Sequence, residues 1–482
     1  MDQDAARIRL HAFVDSGVDH PTLGLVYGRR RVGKSTLLDR LCAERGGFYW
    51  EATRSERAIH LARLGEALGA HVGVGRLSFD SWEEALVQLQ RLGGDGPRPV
   101  VLDEFGYLLE ADPTLASAVA QALGPHARRE GRGQARLILC GSAIALIQAL
   151  TGGEAPLRGR AGLEIIVQPL ADRAAARLLG AGAPLELAAR VYSVIGGVIG
   201  YYTDMVDHDL PASLADFDRW VAARVLSPSA TLHHEATTLL AEDPTLSVAS
   251  PALHHSILAT IANGSVTAGG IANRLRRSVS NLDPALKRLV AAGFVLRHED
   301  PIRAQRPTYA LADPFLQFHY AVLEPHGSML RERDSHGAWL GRLAATHDAR
   351  VSGPVFEEQA RAWVRRHADE ASLGGPADYV GASTAVVDGT ERQLDLVVAG
   401  AADPGTPPAE RAVLAIGEAK AGEIVDARHL RLLEQARSAL GARAAGARLL
   451  LFAPAFAEEL RAESRRRTDV ELIDLDRLYG GS

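Results

Sequence analysis

Short apolar runs recur along the first two hundred residues, and between them apolar positions return every three or four residues. Such alternation predicts a parallel sheet covered by helices. The expected strands are Leu23–Tyr27, Gly47–Ala52, Pro99–Asp103, Arg136–Gly141 and Leu163–Val167. A helix-rich stretch follows over about 169–246, with turn signals at Gly196-Gly197 and Asp243-Pro244, and reads as a lid or connector. From about 250 to 320 the pattern predicts a helix over Pro251–Ala262, a turn at Asn263-Gly264, a short helix near Thr267–Leu275 and a third ending near Gly293. Two strands, Phe294–His298 and Thr308–Leu311, complete the order of a winged helix-turn-helix. Asp283-Pro284 suits the start of the third helix as cap and first-turn proline. The last part opens with a helix over Val355–Ala368 and continues through strands, a helix, and the apolar runs Ala447–Phe452 and Val470–Ile473. The Pro- and Gly-rich segment 401–411 is expected to be a loop.

The chain has 482 residues, enough for roughly three domains at about 150 residues each. Its expected division is an α/β domain over 1–205, a helical lid or connector over 206–246, a winged helix-turn-helix over 247–325, a linker helix over 326–350 and a second α/β domain over 351–482. Leu137–Leu150, the longest nearly uninterrupted apolar run, is too short to span a bilayer. The amino terminus carries two aspartates where an export signal has basic residues, so a cytoplasmic protein is expected. Two cysteines, Cys42 and Cys140, exclude a disulfide framework. The net charge of −6 excludes a globally basic nucleic-acid coat. Only Lys34, Lys287 and Lys420 are lysine among 53 basic residues. Arginine thus serves almost everywhere, and a retained lysine marks a place where a compact ammonium is needed.

Two of those lysines fall in phosphate-chemistry patterns. The segment Gly28-Arg29-Arg30-Arg31-Val32-Gly33-Lys34-Ser35, followed by Thr36, matches G-x-x-x-x-G-K-[ST] between an apolar strand and a helix. In such a loop the glycines turn backbone amides onto phosphates, the lysine reaches the outer phosphates, and the serine hydroxyl ligates Mg²⁺. ATP with Mg²⁺ is the expected ligand. The strand Pro99–Asp103 delivers Asp103 to the Mg²⁺ water shell and places Glu104 to polarise an attacking water. Ser142, ending the strand after it, reads either as a γ-phosphate sensor or as a helix cap. Arg158 and Arg160 follow; Arg160 is preferred for meeting the transferring phosphate from its own or a neighbouring subunit, against a plain surface role.

GRRRVGKS, VVLDEF, LILCGS, APLRGR, Gly196-Gly197, YALADPFLQF (309–318), Phe356-Glu357-Glu358, Leu394-Asp395 and Gly417-Glu418-Ala419-Lys420 together resemble the archaeal-type ATPases of the AAA+/STAND-like P-loop superfamily. Those proteins carry a carboxy-terminal domain of uncertain function resembling PD-(D/E)xK nucleases. The resemblance covers most of the chain and implies an ATPase core, a winged helix and a restriction-endonuclease-like fold, in that order. VIGYYTDM, after Gly197, departs from the proline-containing pattern of the relatives.

Within the last part, residues i and i+2 of a strand share a face, so Glu418 and Lys420 point together and Asp395 on the next strand can face them. Two carboxylates hold Mg²⁺ against a scissile phosphate while the ammonium orients water. Glu357 or Glu358 supplies a further carboxylate, Glu358 being slightly favoured by the resemblance. A solvated strand end, or a fold that has lost activity, is the alternative.

Between residues 271 and 310 eight basic side chains (Arg274, Arg276, Arg277, Lys287, Arg288, Arg297, Arg303, Arg306) face three acidic ones. This local excess favours DNA, with the third helix in the major groove and Arg303 or Arg306 on the wing; protein docking is the other use of such a module. No membrane partner is expected, and a homo-oligomer is compatible with the sequence. His233-His234 and His254-His255 read as exposed helix positions rather than zinc ligands.

Overall fold

Period-two alternation assigns each strand residue of the amino-terminal half to one of two cores. Leu23, Leu25 and Tyr27 enter one apolar cluster with Val100, Leu102, Leu137 and Leu139, whereas Val26, Val101, Ile138 and Cys140 enter the other. A sheet buried on both faces reads as a continuous hydrophobic run, as these strands do. In the computed structural model, which describes residues 3–125, 133–247, 250–332, 334–401 and 406–480, the strands are β1 (Thr22–Tyr27), β2 (Phe48–Glu51), β3 (Arg98–Asp103), β4 (Ala135–Gly141) and β5 (Ala161–Ile166). They lie in the order β2-β3-β4-β1-β5, and every neighbouring pair is parallel. Strand β4 therefore stands between the strand leading into GRRRVGKS and the strand ending in Asp103. The carboxyl ends of β1, β3 and β4 open on one crevice, where ligands of open parallel sheets bind.

Helices Leu185–Ile195, Leu214–Val221 and Thr231–Glu242 follow the sheet. Next come helices Pro251–Ala262, Ala268–Arg274 and Val279–Ala291, then the antiparallel pair β6 (Val295–His298) and β7 (Thr308–Leu311). The third of these helices begins earlier than Asp283-Pro284 implied: the Ser278 side chain accepts the Asn281 N–H as its cap, and Pro284 lies inside the helix. Residues 326–350 are not a free-standing linker. Leu330, Trp339 and Leu343 are buried in the same core as the lid helices, and Trp339 Nε1 donates to Asp218 Oδ1 at 2.7 Å. His254 and His233 are buried rather than exposed, the His233 ring lying 3.0 Å from the Leu226 carbonyl.

The last part holds β8 (Ala377–Val387), β9 (Thr390–Gly400), β10 (Val413–Ala419), β11 (Ile424–Val425), β12 (Arg448–Phe452), β13 (Ala455–Phe456) and β14 (Val470–Ile473). Five of them form a mixed sheet ordered β14-β12-β10-β9-β8, and β11 pairs with β13. Helix Gly353–His367 covers one face through Phe356, Ala360 and Trp363. Helix Ala427–Ala439 covers the other through Leu430 and Leu433. Part of the expected loop 401–411 lies outside the described residues. No helix among the described residues is long and apolar enough to cross a membrane.

One buried arginine ties the sheet to the segment between helix Gln3–Val14 and β1. Arg136, fully buried in β4, donates to the carbonyls of Ser16 and Val18 at 2.8 Å and of His20 and Gln134 at 3.1 Å. These fix the segment that leads into β1. A methionine fills similar space but leaves four carbonyls without a donor. Arg136→Met is therefore expected to lower stability by about 3 kcal/mol, read as a fall in the denaturation midpoint of the amino-terminal region.

Candidate functional site

The phosphate-type loop begins where β1 ends. Gly28 lies so close to the next strand's exit that a Cβ there would meet the Val167 carbonyl oxygen at 2.2 Å, and Gly33 has φ of 92°, which a side chain disfavours. Helix Lys34–Arg45 starts directly after it. Lys34 is buried and its Nζ donates to the Arg29 carbonyl at 3.0 Å, so the loop is closed around its own ammonium. Val32 is buried, and its carbonyl accepts from Gln3 Nε2 at 2.7 Å.

The three arginines of the loop each pair with a carboxylate of their own. Arg29 pairs with Asp313 at 2.9 Å, Arg30 with Glu242, and Arg31 with Glu235 at 3.0 Å. The loop therefore offers phosphate its backbone amides, Lys34 and the hydroxyls of Ser35 and Thr36, rather than its guanidinium groups.

Asp103 is fully buried at the end of β3. Its Oδ2 accepts from the Tyr49 hydroxyl at 2.7 Å and its Oδ1 from the Glu104 N–H at 2.7 Å. Tyr49 is a member of the site that motif reading missed; the signal was its place on β2, the direct neighbour of β3. Burial, the Asp103 carboxylate and, in the opposite sense, Ser35 act on the Tyr49 phenol, whose pKa is raised. Ser35 and Asp103 offer oxygen, the donor type that a hard cation such as Mg²⁺ takes, and Tyr49 holds the Asp103 carboxylate in place.

Glu104 adopts left-handed backbone (φ 49°) and accepts from Ser142 Oγ at 3.2 Å. The cap position of helix Ile144–Ala149 falls on Ala143, and the Ser142 hydroxyl is turned to Glu104. Burial raises the Glu104 pKa, and Lys34 opposes the shift. A cavity of about 390 Å³ opens beside Glu104 and Ser142, bordered by Arg29, Arg30, Tyr107 and Phe294. Arg160 is exposed just before Ala161, which pairs with Leu23 at the opposite end of β1 from the loop. It is too far to serve the loop of its own chain, because the strand length lies between them.

In the last part, β9 carries a bulge: Gly381 pairs with Val397 but Ser383 with Leu394, one residue out of step. Bulges re-aim side chains, and Asp395 sits in this one. Its Oδ2 accepts the Ala419 N–H at 3.0 Å and lies 3.9 Å from Lys420 Nζ, which contacts Glu418 at 2.5 Å. Burial, then Glu357 and Glu418, push the Asp395 carboxyl up to about 7. Glu357 is thus the helix carboxylate that acts on the cluster. Glu358 is turned to Arg361 and Arg365, each at 2.9 Å, and to His298 at 3.4 Å, so the expected metal-ligand role of Glu358 does not fit. Among the described residues no three His, Cys, Asp or Glu side chains are arranged to enclose a metal ion; the Lys420 ammonium takes the counter-charge position.

The basic residues between 271 and 310 divide. Arg274, Arg276, Arg277 and Lys287 are exposed, Lys287 pairing with Asp283 at 2.7 Å. Arg288 is half-buried. Arg303 and Arg306 do not project from a free wing: both reach Glu391, at 3.0 and 3.7 Å. Ile302 beside them is buried in the core of the carboxy-terminal sheet, and Ser383 Oγ donates to Asp300 at 2.9 Å.

The sheet order, the loop after β1 and the acidic pair after β3 define the fold of a P-loop ATPase. A Walker-type ATPase of Pyrococcus abyssi is similar to this chain in structure, with a TM-score of 0.51 and 21% identity over 67% of this chain and 96% of that one. The ORC2 protein of Aeropyrum pernix matches with a TM-score of 0.39 and 16% identity over 68% of this chain and 93% of its own. An uncharacterised protein of Methanocaldococcus jannaschii is 24% identical over 312 residues, 64% of this chain; the match spans 65% of the length of that relative. No family model matches the sequence.

Removal of Lys420 leaves Asp395, Glu418 and Glu357 with Arg361, 3.6 Å from Glu357, as their remaining counter-charge. Lys420→Met is expected to lower the melting temperature by roughly 3–8 °C, and millimolar Mn²⁺ to recover much of that loss, as read in a thermal-shift titration.

Proposed function

We propose that the chain is a Mg²⁺-dependent ATPase whose nucleotide state controls a winged helix-turn-helix and a nuclease-like region acting on nucleic acid. The convergence of Lys34, Ser35, Asp103, Glu104 and Ser142 at the carboxyl ends of β1, β3 and β4 carries the reading. Triphosphate displaces the Arg29 carbonyl from Lys34, whose ammonium then meets the outer phosphate oxygens. Ser35 and Asp103 would hold Mg²⁺, which when bound would neutralise charge developing on the phosphates. Glu104, oriented by Ser142, takes a proton from the attacking water. A guanidinium at the phosphate, if Arg160 supplies it, comes from a neighbouring copy in a homo-oligomer.

The chain divides into the ATPase over 1–205, the lid over 206–246, the winged helix over 247–325, the linker helix over 326–350 and the nuclease-like region over 351–482. DNA meets the exposed Arg274, Arg276, Arg277 and Lys287 beside helix Val279–Ala291, without the wing. Asp395, Glu418 and Lys420, with Glu357 in place of Glu358, are the residues for metal-assisted cleavage. A second reading has its own support: with Lys420 seated between Asp395 and Glu418, the last region serves as a docking platform that does not cut. Mg²⁺- or Mn²⁺-dependent degradation of DNA or RNA, lost in Asp395→Ala and Lys420→Ala, is expected on the first reading; equal inertness of all three proteins leaves the second.

For the ATPase, Glu104→Gln is expected to retain nucleotide and lower kcat by about 10²–10⁴-fold, whereas Lys34→Ala weakens binding and turnover together. Titration of purified protein with ATP, followed by phosphate release, checks both. Glu104 acts deprotonated, so kcat rises with pH through its pKa, and burial places that limb above the ordinary glutamate value. Ser142→Ala removes a hydrogen bond to the carboxylate and is expected to move the limb to higher pH in a pH–rate profile.

A further inference from the structure

The two most distinctive segments of the sequence, GRRRVGKS and YALADPFLQF, are about 280 residues apart, and the second has no part in the chemistry above. They meet in space. Arg29 and Asp313 are 7% and 1% exposed, and Arg29 Nη1 lies 2.9 Å from Asp313 Oδ2. The guanidinium N–H is not aligned on that oxygen, so charge rather than a directed hydrogen bond holds the pair. The other oxygen of Asp313 accepts the Phe315 N–H at 2.9 Å and so caps helix Pro314–Phe318. Arg29 also lies over the Phe294 ring, 5.2 Å from its centroid, where β6 is about to begin.

The double glycine belongs to the same contact. At Gly196, with φ of 63°, a Cβ would meet Asp313 Oδ1 at 2.6 Å; at Gly197 one would meet the Leu170 carbonyl oxygen at 1.8 Å. Only bare backbone lets the lid close over the aspartate. Arg29 then has two attachments. Its side chain is held by Asp313 and Phe294, while its carbonyl holds the Lys34 ammonium at 3.0 Å. Any phosphate that draws Lys34 away releases the carbonyl of a residue whose side chain is clamped to the downstream helices.

Resting on the reading of the loop as a nucleotide site, we propose that Asp313 is a positioning residue of that site: through Arg29 it sets the loop for phosphate, and through Arg29 the downstream segment Gly293–His298 senses occupancy. Beyond that segment, His298 faces Glu358 at 3.4 Å, so the path ends on the helix that carries Glu357. A buried aspartate left without its partner perturbs folding whatever its function, so stability alone does not test the idea.

The test is a double-mutant cycle on the full chain, Arg29→Gln, Asp313→Asn and both together, with the affinity for a fluorescent ATP analogue plus Mg²⁺ as readout. Asp313→Asn is expected to weaken binding by about 5–150-fold, and to add nothing in the Arg29→Gln background. Losses that add, or an Asp313→Asn protein that binds as wild type does, overturn the proposal and leave the nucleotide site standing. No binding by wild type overturns both. Should Asp313→Asn not fold, hydrogen exchange on wild type decides: nucleotide is expected to change protection over 293–298 and 313–318, and unchanged exchange there with nucleotide bound overturns the coupling.

Discussion

Three successive guanidinium groups in one tight bend repel one another unless each finds its own counter-charge. In this chain they do: Arg29 on Asp313, Arg30 on Glu242 and Arg31 on Glu235. Glu235 is itself almost fully buried, so its pairing with Arg31 decides whether a carboxylate can stay charged there. Because the carboxylates come from the helix Thr231–Glu242 and from the start of helix Pro314–Phe318, the bend is built by residues far downstream of it. The loop cannot take its shape until those helices are in place, and the helices bury charge that only the loop neutralises.

The strands of the first sheet were legible within a residue or two, because strands buried on both faces announce themselves as apolar runs between glycines and helical periodicity. The hairpin helices were legible too, apart from Asp283-Pro284. A proline near a helix start needs no cap beside it when Ser278 provides one a turn earlier. Asp103, Glu104 and Ser142 meet at the ends of β3 and β4, the second of which lies beside the strand that leads into the loop of Lys34 and Ser35. Tyr49 was invisible because a tyrosine in an apolar strand is usually core, and only strand order shows that its hydroxyl reaches Asp103.

The errors share one cause, which is that tertiary contacts decide where a long side chain points. Nothing local distinguishes Glu357 from Glu358 on adjacent positions of a helix; Arg365 and His298 draw Glu358 aside, while Arg361 lies between the two, 2.9 Å from Glu358 and 3.6 Å from Glu357. Arg303 and Arg306 look like a free basic wing until Glu391 is placed opposite them. Arg160 follows its motif correctly in sequence, yet the parallel strand after it carries it to the wrong end of the sheet for its own loop.

Ile302 is buried among Ala385, Val397, Ile416 and Leu449, all made after it on the ribosome. While the chain emerges, the tip between β6 and β7 is an apolar side chain with nothing to cover it, although the helices behind it already have their core. The amino-terminal two-thirds of the polypeptide is thus left with a sticky end until the last sheet closes over it. Until then that tip keeps one apolar side chain in water, and the complete chain hides it.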